Sequence, residues 1–157
     1  MIQIVQAPNP YDATRLKTIF MAGSIEMGKA VLWQEELIAQ IKNVFGDQDL
    51  FILNPRRDDW NSSWVQEKEN APFHEQVSWE LEGLENADCI VYFLQAGTIS
   101  PITLLELGLY ARSNKIMVLC EKGFHRKGNV DIVCERYGIP QYETLSEVVL
   151  ALEKLLA

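Results

Sequence analysis

The sequence is poor in the residues on which many binding and catalytic chemistries depend. Its 157 residues hold only 2 histidines, His74 and His125. No Ser–His–Asp set or histidine-based metal site assembles from them, and both read as surface or loop residues. Cysteine is almost as scarce. Cys89, Cys120 and Cys134 are odd in number, widely spaced and set among apolar neighbours. They show no metal-ligand spacing, so packed, reduced thiols in a reducing cytoplasm are expected. No apolar run reaches the roughly 20 residues that span a bilayer, and no secretory pattern opens the chain, which again implies a cytoplasmic protein. Positive charge is also short, with 14 Lys and Arg against 22 Asp and Glu and a net charge of −8. That balance argues against a nucleic-acid backbone or an anionic membrane as partner and leaves small neutral ligands. Nor is there a recognised phosphate loop. Gly23-Ser24-Ile25-Glu26-Met27-Gly28 matches neither the dinucleotide fingerprint nor the P-loop, and Glu26 would repel a phosphate. The loop reads as close backbone packing against a sugar or base.

What is present is an ordinary globular composition, 48% hydrophobic and 23% charged, in a length that fits a single domain over residues 1–157. Apolar, β-branched runs predict strands at 18–22, 50–53, 89–94 and 116–120, with residues 1–5 as a further edge strand. Helical spacing predicts helices over 29–45, 75–85, 102–111 and 146–156. Strands alternating with helices imply right-handed crossovers and an α/β fold with a mostly parallel sheet. One long irregular segment, 54–72, holds two Trp, two Arg and two Asp, and a loop of that length is usually functional. Ligands in such folds bind at the carboxyl ends of strands, which selects 23–28, 54–60, 95–103 and 121–129.

Within the stretch from Cys89 to Ala111 only Glu106 is charged, with Leu104, Leu105, Leu107 and Leu109 around it. A buried carboxylate costs several kcal/mol or takes up a proton. A nearby helix N-terminus would favour its ionised form, so Glu106 is expected to be sheltered yet anionic, as a carboxylate nucleophile must be. A structural Glu, paired with an Arg or capping a backbone, is the competing reading. On the preceding helix Glu82 and Glu85 point to solvent, whereas Glu80 lies beside the stripe of Val77, Leu81 and Leu84. Alone, Glu80 is one more surface acid. Beside Glu106 it makes a carboxylate pair of the kind that cleaves glycosidic bonds. The run Asn54-Pro55-Arg56-Arg57-Asp58-Asp59-Trp60 can hydrogen-bond a heterocycle edge and stack on its face, or can equally be surface ion pairs with Trp60 or Trp64 as a pin.

Taken together, Ile19-Phe20-Met21-Ala22-Gly23-Ser24-Ile25, Leu53-Asn54-Pro55-Arg56-Arg57-Asp58-Asp59-Trp60, Trp79-Glu80-Leu81 leading to Ala87-Asp88, Ile102-Thr103-Leu104-Leu105-Glu106-Leu107-Gly108 and Lys127-Gly128-Asn129-Val130-Asp131 resemble the nucleoside 2-deoxyribosyltransferase family. The resemblance spans about residues 17–140 and rests on order and spacing more than on any one motif. It implies a flavodoxin-like, doubly wound, five-stranded sheet with helices on both faces, and no cofactor. It implies a double displacement on a 2′-deoxynucleoside, with a free nucleobase as acceptor and Glu106 as the nucleophile. Glu80 stands where the family has an Asp near base and sugar, which implies a part in proton transfer. Phe20, Gly23 and Ser24 would line the sugar pocket, and Asn54, Arg56, Asp58, Asp59 and Trp60 would face the base. Asn129 matches an Asn that a neighbouring subunit contributes, which implies a homo-oligomer with shared sites.

Two positions depart from the pattern. Ser100 stands where familiar members have an Asp on the 5′ hydroxyl and where related deoxynucleotide N-hydrolases have a phosphate-binding Ser. Glu80 adds a methylene to the family's Asp. Transfer between nucleosides is therefore the first expectation, hydrolysis of a 2′-deoxynucleoside 5′-monophosphate the second, and a non-catalytic nucleotide-binding sensor the third.

Overall fold

The apolar runs form strands because a parallel sheet is covered on both faces. In the computed structural model, which describes residues 1–14, 16–25, 32–57 and 63–157, β1 (Ile2–Gln6), β2 (Lys17–Gly23), β3 (Leu50–Asn54), β4 (Cys89–Leu94) and β5 (Ile116–Cys120) make one sheet. Its order is β1-β3-β2-β4-β5, and every pairing is parallel. The helices are α1 (Trp33–Phe45), α2 (Ala71–Asn86), α3 (Pro101–Tyr110), α4 (Lys127–Tyr137) and α5 (Leu145–Leu156). This is the expected doubly wound α/β architecture of flavodoxin-like type, with β1 added beyond β3 as an edge strand. Among the described residues no helix is long and apolar enough to cross a membrane.

Alternation along the strands divides the core in two. Phe20, Ala22, Ile90, Tyr92 and Val118 pack with Trp79 and Leu84 of α2, Leu107 of α3 and Val130 and Cys134 of α4. Ile19, Met21, Ile52, Val91 and Leu119 pack with Trp33, Leu37 and Ile41 of α1 and Val148, Val149 and Leu152 of α5. Three helices thus cover one face and two the other. All three cysteines are free and buried, and burial first of all pushes their thiols up, Cys89 to about 12 and Cys120 and Cys134 to about 11.

Two local devices fix where α2 lies. A Cβ on Gly83 would meet the Phe20 ring at 2.6 Å, so only glycine lets the helix settle this close to β2. At the helix end Lys115 donates from Nζ to the carbonyls of Leu84, Glu85 and Ala87 at 2.7, 2.8 and 2.9 Å, satisfying groups that a helix C-terminus leaves unpaired.

Four expectations need correction. α1 starts at Trp33 rather than Lys29, because Leu32 has a non-helical ψ of 59°; residues 29–31 lie outside the described part. α2 starts at Ala71, four residues before Glu75, because the Asn70 side chain accepts from the Phe73 N–H and caps the first turn. The segment 121–129, expected as a strand-end loop, carries the first turn of α4, which ends at Gly138 in the left-handed region. Its apolar period is broken by Ile132, which faces solvent. Finally, α3 is not sheltered all round. Thr103, Glu106 and Leu107 are its buried positions, while Ile102, Leu105 and Leu109 are 58%, 60% and 59% exposed.

Candidate active site

From β2 the chain runs outward to β3, then crosses back through α2 to β4 on the other side of β2. A sheet of this kind opens a crevice at the carboxyl ends of the two strands where the winding reverses. A cleft of about 710 Å³ lies there, within the usual range for a small-molecule site. Its floor comes from Phe20, Ala22 and Gly23 of β2, one wall from Phe73, Gln76, Val77 and Glu80 of α2, and the opposite wall from Ser100 and the first turns of α3 down to Glu106. Pro55, Arg56 and Arg57, which follow β3, close a third side.

Glu80 reaches the cleft because it lies inside the inward face of α2, not beside it. Gln76, Trp79, Gly83 and Leu84 are the buried residues of that helix, and Glu80 stands in their middle. Two of the four, Gln76 and Gly83, are not hydrophobic, so apolar spacing alone places the stripe about one residue off. Glu80 is half-buried, and burial pushes its carboxyl up to about 7 against the lowering effect of the hydrogen bond from Gln76. Glu106 is 9% exposed. Burial first and the charge of Glu80 second push it up to about 8. Burial therefore outweighs the effect expected of the α3 dipole on Glu106. Pro101 starts the helix, so Glu106 lies past the first turn, where the dipole has faded and desolvation wins. Both carboxyls of the cleft therefore release their protons well above the usual carboxylate range.

Gln76 was not among the residues expected at the site, although it lies four before Glu80 on the same helix face. It is 5% exposed. Its Nε2 donates to Glu80 Oε1 and to the Pro55 carbonyl, each at 3.0 Å, and its Oε1 accepts from Arg57 Nη1 at 3.5 Å. Arg57 in turn stands over the Trp64 ring, 5.1 Å from its centroid. Arg56 donates from Nη1 to Gln34 Oε1 at 3.2 Å.

At the far end of the cleft three buried hydroxyls form a ring. Ser24 Oγ lies 2.9 Å from Thr98 Oγ1 and 2.7 Å from Ser100 Oγ, and the last two are 2.8 Å apart. Thr98 also donates to the Gln95 carbonyl at 2.8 Å, and Ser24 accepts from the Gln95 N–H at 3.1 Å. Ser100 holds its place with a left-handed backbone, φ 48°.

Of the expected site residues, Glu106, Glu80, Phe20, Gly23, Arg56 and Ser100 all line this one cleft. Ser24 sits behind Ser100. The Cβ space of Gly23 is used by the protein itself, since a methyl there would meet the Phe93 carbonyl at 2.4 Å and the Trp33 ring at 2.7 Å. Asn54 turns its side chain onto the Arg56 N–H at 3.1 Å and does not line the cleft. Asn129 is exposed on α4, away from the cleft lining. Asp58, Asp59 and Trp60, and Glu26 to Gly28, lie outside the described residues. Both histidines are exposed and outside the cleft, and no group of acids, His or Cys able to hold a metal ion occurs among the described residues.

Among solved structures the chain is similar to one described as a conserved protein from Enterococcus faecalis V583, with a TM-score of 0.61 and 13% identity, over 88% of this chain and 98% of that one. At that identity the likeness concerns the fold. No curated protein sequence matches the chain. A family model described as nucleoside 2-deoxyribosyltransferase like matches residues 16–124, well over half of the length and all of the elements that carry the two carboxyls. The chain belongs to the nucleoside 2-deoxyribosyltransferase-like family.

Proposed function

We propose that this chain is a nucleoside 2-deoxyribosyltransferase that exchanges the base of a 2′-deoxynucleoside through a covalent deoxyribosyl–Glu106 intermediate. One observation carries the reading. Glu80 and Glu106, from different helices, face one cleft in which burial raises the proton affinity of both. Such a pair can hold one carboxylate and one acid at neutral pH. A Glu106 oxygen bonds to C1′ as the C1′–N bond breaks. The electron pair goes to the leaving nitrogen, which takes the proton of Glu80. An incoming base then attacks C1′, the ester bond to Glu106 breaks, and the base's proton returns to Glu80, with net retention. Phe20 and Gly23 floor the sugar position, and Arg56 with Arg57 meets the base.

An unphosphorylated substrate is the first reading, because the chain carries a net charge of −8 and a 5′ hydroxyl can donate to Ser100, which lines the cleft. Hydrolysis of a 5′-monophosphate is the second reading, favoured by Arg56 and Arg57 on the same cleft. Incubation with deoxyinosine, with and without adenine, and with deoxyinosine monophosphate separates the two. Deoxyadenosine formed only when adenine is present is the expected result. Release of base from the monophosphate alone, or binding without turnover, would reject transfer.

A second copy of the chain belongs to this reading. Ile102, Leu105 and Leu109 leave an apolar stripe on α3, and the first two also border the cleft. A stripe of this kind at the mouth of a site fits a self-interface. In this reading Asn129, which does not line its own cleft, serves the neighbour's. Glu106→Ala and Asn129→Ala, each inactive alone, should regain activity when mixed under subunit exchange, because some hybrid sites then carry both native residues. Mixtures that stay inactive while exchange is demonstrated would remove the shared site.

A further inference from the structure

Gln76 makes three hydrogen bonds at the cleft, and base exchange as written above gives it no part. It spans two walls. Its amide nitrogen holds Glu80 on its own helix and the Pro55 carbonyl on the segment after β3, both at 3.0 Å, while its oxygen receives Arg57 at 3.5 Å. A buried amide that makes three bonds of this kind has one orientation, because turning it over would set its oxygen against the Glu80 carboxylate and its nitrogen against the guanidinium.

Building on the proposed transferase reading, we infer that Gln76 is the positioning residue that ties the base-facing segment 54–57 to Glu80, so that the acid is aimed by the same strap that receives the base. Two consequences follow. The donated N–H aims one carboxyl oxygen, which leaves the other to point into the cleft as the proton carrier. The strap and the acid also cannot shift independently, so a base that moves Arg57 moves the bond on Gln76 and with it the proton affinity of Glu80. Among the described residues, the charged groups that line the cleft with Glu80 are Glu106 from α3 and Arg56 and Arg57 from the segment after β3, while β2 lines it with Phe20, Ala22 and Gly23. Removing the Gln76 donor takes away the one hydrogen bond that favours the ionised form of Glu80.

The test pairs Gln76→Met, similar in length but without the bonds, with Gln76→Glu, which keeps an acceptor for Arg57 but sets a like charge against Glu80. Glu80 is titrated by carbon NMR on the whole protein labelled in its glutamate carboxyls, a readout that needs no turnover. Its midpoint should rise in both variants, more in Gln76→Glu. In base exchange, kcat for Gln76→Met should fall about tenfold, less than the roughly 10²-fold or greater loss from removing the acid itself, and the pH profile should shift to higher pH. An unchanged Glu80 midpoint in a folded variant overturns the inference, even if base exchange is confirmed. A raised midpoint in a protein that exchanges no bases upholds the tie between Gln76 and Glu80 and rejects only the transferase reading. If Gln76→Met fails to fold, Gln76→Glu decides alone.

Discussion

Glu106→Ala should lose base exchange by roughly three orders of magnitude or more in kcat, in a protein that still folds. The size of the effect follows from the nature of the step. A nucleophile that forms the covalent intermediate has no partial substitute, and water entering the space left by the side chain would at most hydrolyse the nucleoside slowly. Binding should survive far better than turnover, since Phe20, Gly23, Arg56 and Ser100 line the cleft independently of Glu106. The native protein should show a bell-shaped dependence of kcat/KM on pH. Attack requires an ionised Glu106, and departure of the base requires a protonated Glu80, so activity needs one proton on the pair. Glu80 is pushed up to about 7 and Glu106 up to about 8, so a single proton rests mainly on Glu106, and the reactive form with that proton on Glu80 is the minor one. The maximum lies between the two values with a fall on each side. A flat profile from pH 6 to 9 would contradict the assignment of the pair.

The same two carboxyls make a second large effect visible in stability. Their folded pKa values lie above the ordinary carboxylate range, so between about pH 4.5 and 8 the folded protein binds more protons than the unfolded chain. The contribution of this pair to stability must then fall as pH rises through that window, the reverse of a salt-bridged acid. Glu106→Gln removes the ionisation and keeps the shape. It should be inactive yet more stable than the native protein at pH 9 by about 2 kcal/mol, or roughly 5 °C in Tm, while at pH 4.5 the difference should vanish. Thermal unfolding at the two pH values checks the sign. A destabilised Glu106→Gln at pH 9 would mean that the carboxylate has a stabilising partner in the folded state.

The sheet was legible in the sequence because its strands are covered on both faces and therefore read as unbroken apolar runs; Cys89–Leu94 and Ile116–Cys120 were found to the residue. Helix faces were less legible where the inward residues are not hydrophobic. Gln76 and Gly83 face inward on α2 for hydrogen bonding and close approach, and neither contributes to apolar spacing, so Glu80 looked peripheral and Gln76 went unnoticed. On α3 the error ran the other way. Leucines at 105 and 109 suggested shelter for Glu106, but they face solvent, and its burial comes from the sheet side of the helix. α4 was missed because its inward positions, Val130 and Cys134, are separated by exposed Ile132 and preceded by Gly128. Glu106 itself stood out as the one charge in an apolar strand–helix unit, and the structure keeps that distinction, with burial raising its proton affinity.

Mass spectrometry of the protein quenched during reaction with deoxyinosine, in the absence of an acceptor base, tests the covalent role of Glu106 directly. One deoxyribosyl unit should be found on the peptide that carries Glu106, and it should disappear when adenine is added before quenching. Base exchange by a protein that never carries the unit, or carries it on another residue, would contradict the mechanism.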